Sequence, residues 1–158
     1  MKLRILFLLL VGGCAAAPAA AQVKLELDHL AARARESVNV SLDASTLRAA
    51  GSFLSTRKEG EAKAKELISN LKGIYVRAFE FDKENEYTQA DLQSVRSQLQ
   101  TPAWSRIVHA QERGGKEGAE VFLRSDGERP SGIVVIAYEP RQLAVVAIDG
   151  PIDLEQLA

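Results

Sequence analysis

At 158 residues, with 20 basic and 21 acidic side chains and 46% hydrophobic residues, the chain is near charge balance and long enough for one globular domain. That balance excludes the broad basic footprint that nucleic-acid binding needs. The lone cysteine, Cys14, excludes an intramolecular disulfide and a thiolate metal site.

The first residues form the three parts of an export signal. Met1–Arg4 is short and basic, Ile5–Val11 is uninterrupted and apolar, and small residues run on to Ala21. The apolar run is far shorter than the ~20 residues a bilayer-spanning helix needs. Two processing routes are open. Val11-Gly12-Gly13-Cys14 resembles a lipobox, in which Cys14 would become a lipid-modified first residue. Ala19-Ala20-Ala21 is a small-x-small cleavage site, with Pro18 placed to end the signal helix. Either route leaves a folded part without a thiol. Residues 1–21 are set aside as the signal, and 22–158 as a single domain. Removing Lys2 and Arg4 takes the basic residues from 20 to 18 against 21 acidic ones, a net of −3. No later segment is apolar and long enough to cross a membrane, so membrane contact is expected only through a lipid anchor at Cys14.

Gln22–Glu36 carries Leu27, Leu30, Ala31 and Ala34 at helical spacing, with Asp28 as a cap. Val38–Leu42 alternates apolar and polar, a short strand. Asp43 can cap a helix over Ser45–Leu54. Glu61–Leu71 has the stripe Ala64, Leu67, Ile68 and Leu71 of an amphipathic helix, and Gly73 stands where a helix-ending glycine belongs. Gly73–Asp82, reading G-I-Y-V-R-A-F-E-F-D, is the clearest strand. It carries Ile74, Val76, Ala78 and Glu80 on one face and Tyr75, Arg77, Phe79 and Phe81 on the other. Both faces are largely apolar, which predicts an interior strand. Thr88-Gln89-Ala90-Asp91 resembles a capping box that opens a helix to about Gln100, stopped by Pro102.

The remainder reads as antiparallel sheet. Trp104–Gln111 and Ala119–Ser125 alternate around a glycine-rich loop. Asp126-Gly127 is a turn signal that Arg129-Pro130 extends. Gly132–Tyr138 and Leu143–Asp149 pair across Glu139-Pro140-Arg141-Gln142 and are apolar on both faces, which places them inside the sheet near the central strand. Asp153 can cap a last helical turn, Leu154–Leu157. The expected fold is α+β: one domain, a mostly antiparallel sheet of about five to six strands, with about three to four helices packed on one face. A sheet apolar on both sides then needs cover on its other face, which a partner, a second copy or a ligand would supply.

The chemistry-bearing residues form no constellation. His29 and His109 lack a metal-ligand spacing. Glu80 and Asp82 share a strand face, as paired carboxylates for acid–base work would, but Glu84 and Glu86 continue them as a solvated acidic strand end. Gly114-Gly115-Lys116 lacks the spacing and the Ser/Thr of a phosphate loop. No G-x-S-x-G occurs. Trp104, opening a strand after Pro102, reads as an anchor between helix and sheet or as a stacking platform. No catalytic residue, cofactor or metal is expected.

Lys72–Asp82 (K-G-I-Y-V-R-A-F-E-F-D), then Trp104-Ser105-Arg106-Ile107-Val108, then Gly150-Pro151-Ile152-Asp153-Leu154, in this order, resemble the exported bacterial family known as domain of unknown function 4252, and the start Leu30–Leu42 also fits it. The resemblance covers roughly Leu25 to the end. It implies a small, exported envelope protein; some relatives carry lipoprotein signals. Members stand near extracytoplasmic sigma-factor and anti-sigma genes, which implies an envelope-stress or signalling role, and the family brings no catalytic residues. The first functional expectation is therefore a non-enzymatic binding module for an envelope protein or ligand, using the sheet face away from the helices and whichever of Tyr75, Arg77, Phe79, Phe81 and Trp104 are exposed. The alternatives are a small periplasmic hydrolase using Glu80, Asp82 or His109, and a structural component that forms a homodimer through the sheet.

Overall fold

The computed structural model describes residues 22–153; Cys14, the signal and the expected last helical turn at 154–157 lie outside them. Six strands form one antiparallel sheet: β1 (Glu36–Asp43), β2 (Gly73–Glu80), β3 (Trp104–Gln111), β4 (Gly118–Asp126), β5 (Arg129–Glu139) and β6 (Gln142–Asp149). Their order is β1-β2-β6-β5-β4-β3. Strands β3 to β6 are a meander, and β2 enters between β6 and β1. The fold is thus α+β with three helices, α1 (Ala44–Gly51), α2 (Glu59–Asn70) and α3 (Gln89–Arg96). The apolar runs of β5 and β6 occupy the two middle positions, as hydrophobicity on both faces requires.

One face of the sheet holds the core. Phe79 of β2, Leu143, Val145 and Ala147 of β6, and Val134, Ile136 and Tyr138 of β5 are buried there, with Phe81 just beyond β2. Leu92 and Val95 of α3, and Leu99 of the 3-10 turn after it, cover them. The expected first helix is replaced by an extended strap. Val23, Leu25 and Leu27 are buried at alternate positions, and only Asp28–Ala32 forms a 3-10 turn, which buries Leu30. Two periodicities compete in this segment; the alternation wins because it presents three apolar side chains to the same core surface. The strap is tied down by Gln98, whose side chain accepts from the Lys24 N–H and donates to the Lys24 carbonyl, both at 2.8 Å.

Two further differences have local causes. Gly73 opens β2 rather than capping a helix, whose C-cap is Leu71. A Cβ there would sit 2.5–2.8 Å from the Tyr75 ring and hydroxyl, so the position needs space, not a left-handed backbone. Gly118 is under the same constraint from Tyr138. Arg129 and Pro130 belong to β5: Asp126 pairs with Arg129 and Ser125 with Pro130, and the register then shifts before Gly132 meets Arg124. Proline is tolerated at such an irregularity because no regular ladder bond is lost.

The capping box of α3 is present as expected. The Thr88 hydroxyl accepts from the Asp91 N–H at 3.4 Å and Asp91 accepts from the Thr88 N–H at 2.8 Å. His29 of the strap also reaches Asp91, at 2.7 Å. Burial works against the Asp91 charge, but hydrogen bonds from the Thr88 backbone, from His29 and from the Thr88 hydroxyl outweigh it and hold the carboxyl below its ordinary 3.8. A carboxylate with a lowered folded pKa stabilises fully above its unfolded value and loses that contribution as pH falls through the folded one. Replacing Asp91 by alanine should therefore cost about 1–2 kcal/mol at pH 7. Urea titrations should show the gap between wild type and variant closing below about pH 4; a gap that stays constant into acid would contradict this.

Candidate functional site: the open face of the sheet

The register places side chains on the second face in rows that cross all six strands. A valine row runs Val40, Val76, Val146, Val135, Val121, Val108. On one side of it lies a row of Leu42, Ile74, Ile148, Ile133 and Leu123, closed by Ser105. On the other lies Val38 followed by five alanines, Ala78, Ala144, Ala137, Ala119 and Ala110. Side-chain size thus falls stepwise along the strands from leucine and isoleucine to valine to alanine.

These rows do not join the main core. Their members in the four interior strands are half-buried, and at the two edges Val38 and Val108 are 50% and 44% exposed. The contrast with the covered face, where Val134, Ile136, Leu143 and Val145 are at most 1% exposed, lies within the same strands. A monomer seldom leaves so continuous an apolar surface open.

The alanine row is the floor of a groove of about 700 Å³ lined from all six strands. Its outer rim is acidic: Glu36, Glu80, Glu139, Glu117 and Glu112 line it, with Gln142 between Glu80 and Glu139 and no basic side chain in the lining. Glu80 is ion-paired to Arg35, which also lies 3.6 Å from Asp82. Glu112 accepts from the Lys116 N–H at 3.1 Å. Glu36, Glu117 and Glu139 enter no ion pair among the described residues.

The residues expected to form the binding surface lie on the other side. Tyr75, Arg77, Phe79 and Trp104 all face the core: Phe79 is buried, and Tyr75 and Trp104 pack against the cluster. Arg77 is 13% exposed along its side chain, with its guanidinium donating to Asp28 at 3.1 Å, to the Val40 and Val76 carbonyls and to Ser41. The aromatic face therefore became the covered one, because rings bury the most area against α3 and the strap. The face left outside the main core is the aliphatic one, through Ile74, Val76 and Ala78 of the same strand.

The covered face also buries charge that was not singled out from the sequence. Glu120, 2% exposed, accepts from Arg96 of α3 at 2.7 Å and from Arg106 of β3 at 3.1 Å. Arg124, 6% exposed, bonds to Asp149 and to Ser131 and lies 5.4 Å from the centre of the Trp104 ring. The clue was available: Glu120, Phe122 and Arg124 alternate, so a strand that buries Phe122 carries both charges inward with it. Every buried side-chain N and O atom described has a hydrogen-bond partner.

The acid–base candidates do not meet. Glu80 is on β2 and His109 on β3, with β6, β5 and β4 between them. Four strand spacings are about 19 Å. His109 stands opposite Glu120, whose carboxylate is already held by two arginines. No three of the described His, Cys, Asp or Glu side chains gather as they would around a metal ion, and no described helix is long and apolar enough to cross a membrane.

Comparison with curated proteins and with solved structures finds no match. A family model does match, over residues 33–158, which takes in the whole sheet and all three helices but not the strap. The chain therefore belongs to the family described as Domain of unknown function (DUF4252).

Proposed function

We propose that the mature chain is an exported, non-enzymatic binding module of the cell envelope, and that its open aliphatic sheet face is where a partner protein docks. One observation carries the reading: two apolar rows cross six strands and a third crosses five, on a face that the main core leaves outside. The basic start, apolar run and small-residue stretch of residues 1–21 support export. The separation of Glu80 from His109 weighs against the hydrolase reading. A second copy on the same face is the competing occupant.

Substitution by charge tests the openness of this face. Val121 and Val146 lie on it in strands that are not adjacent. If the face is open, V121K/V146K should cost about 1 kcal/mol or less in urea unfolding, since each lysine reaches water along its stem. The same variant should lose most of the fluorescence enhancement that the wild type gives an apolar dye. Sedimentation at the same concentrations should show a monomer. A dimer whose dissociation follows the double substitution would support the structural alternative, and no dye binding by a monomer would defeat the docking reading.

A further inference from the structure

We propose that the alanine-floored groove receives an amphipathic α-helix laid across the strands, with basic side chains along the flank that meets the glutamate rim. The inference rests on the docking reading above and adds the kind of partner. Three features select it. The floor offers methyl groups, and the interior strands beneath it have their backbone N–H and C=O groups committed to neighbours in the sheet. An extended peptide crossing that floor would leave its own backbone unpaired against apolar surface, whereas a helix arrives with its backbone bonds already made.

The dimensions also agree. Six strands span five spacings, about 24 Å, the length of roughly 16 helical residues. From the glutamate row across the alanines to the valine row is four residues along a strand, about 13–14 Å, room for a helix about 10 Å in diameter. Alanines along the whole floor let the helix approach closely, and the valine row borders the floor on the side away from the glutamates.

Charge gives the orientation. Five glutamates line the outer side without a basic neighbour in the lining, and Glu36, Glu117 and Glu139 enter no ion pair among the described residues. Such a rim attracts lysine or arginine on one flank of the helix and repels an acidic flank or an anionic amphiphile. Exposed charges of this kind contribute more to selection and association rate than to affinity, so the preference should weaken with salt.

The test uses the mature chain and synthetic helical peptides of about 16 residues, with leucine and alanine on one side and either lysines or glutamates along one flank. Fluorescence anisotropy should show the lysine peptide binding at least about ten-fold more tightly than the glutamate peptide at low salt, with the ratio falling several-fold by 0.3 M salt. E36Q/E117Q/E139Q should erase most of that ratio while leaving the urea midpoint near wild type. A137L/A144L, or A119L alone if the double variant folds poorly, should weaken both peptides about ten-fold or more by filling the floor. Equal binding of the two peptides, or unchanged binding to the filled-floor variants, overturns the proposal. So does displacement of the apolar dye by a single-chain cationic amphiphile when neither peptide displaces it. If the dye and V121K/V146K behave as an open face requires but the peptides fail, the helix is excluded and the docking face stands. If the dye also fails, the docking reading falls with it.

Discussion

A chain that starts at Arg33, where the family match begins, should not fold. It lacks Val23, Leu25, Leu27 and Leu30, four buried side chains that close the core over β2 and against α3. Leu27 and Leu30 are fully buried. Each should cost about 2–5 kcal/mol when replaced by alanine. A domain of this size has a total stability of only about 5–15 kcal/mol, so losing all four together exceeds or nearly exhausts it. The truncated chain should give little near-ultraviolet circular dichroism, and L27A or L30A in the longer chain should lower the urea midpoint without changing the slope. A truncated chain that unfolds cooperatively with near-wild-type stability would show that the strap is an accessory and not part of the core.

The second large effect belongs to Glu120. Its carboxylate is almost fully enclosed, and Arg96 and Arg106 converge on it from α3 and β3. Removing one member of a buried ion pair leaves its partners without a counter-charge, a loss of about 3–5 kcal/mol for a fully enclosed pair. Here the arginine side chains keep 21% and 47% of their exposure, so water relieves part of that loss. E120A should therefore destabilise by about 2–4 kcal/mol. E80Q, whose target is a more exposed ion pair with Arg35, should cost less than about 1 kcal/mol. Equilibrium urea unfolding of the two variants separates these cases; equal, small losses would mean that the Glu120 cluster adds no more than an ordinary surface pair.

Much of the architecture follows from local pattern. The β-branched runs of Ile133–Ile136 and Val145–Ile148 place themselves inside the sheet because no single-sided environment suits them. Thr88 and Asp91 announce the start of α3 through chemistry confined to four residues. Where two patterns overlap, local reading cannot choose: Val23–Leu30 contains both an alternation and a helical stripe, and the core decides between them. Which face of the sheet lies outside the main core was not legible for a related reason. Alternation along β2 separates Tyr75, Arg77 and Phe79 from Ile74, Val76 and Ala78, but which set is covered depends on where α3 and the strap pack. The alanine row was harder still to see. Ala78, Ala110, Ala119, Ala137 and Ala144 come from five separate strands, and only the pairing register brings them into line. Glu120 was overlooked because a lone acid in an alternating strand resembles a solvent-facing one until its neighbours' direction is known.

Ala144 and Val145 are adjacent in β6 and point to opposite faces, Ala144 to the groove and Val145 to the core at 0% exposure. With Cys14 replaced, each can be changed to the only cysteine in the chain and its reaction with a maleimide timed in the folded protein. The account predicts that A144C reacts within about an order of magnitude of a free thiol and that V145C reacts more slowly by a factor that tracks global unfolding. Equal protection of both positions, or faster reaction at Val145, would contradict an open aliphatic face.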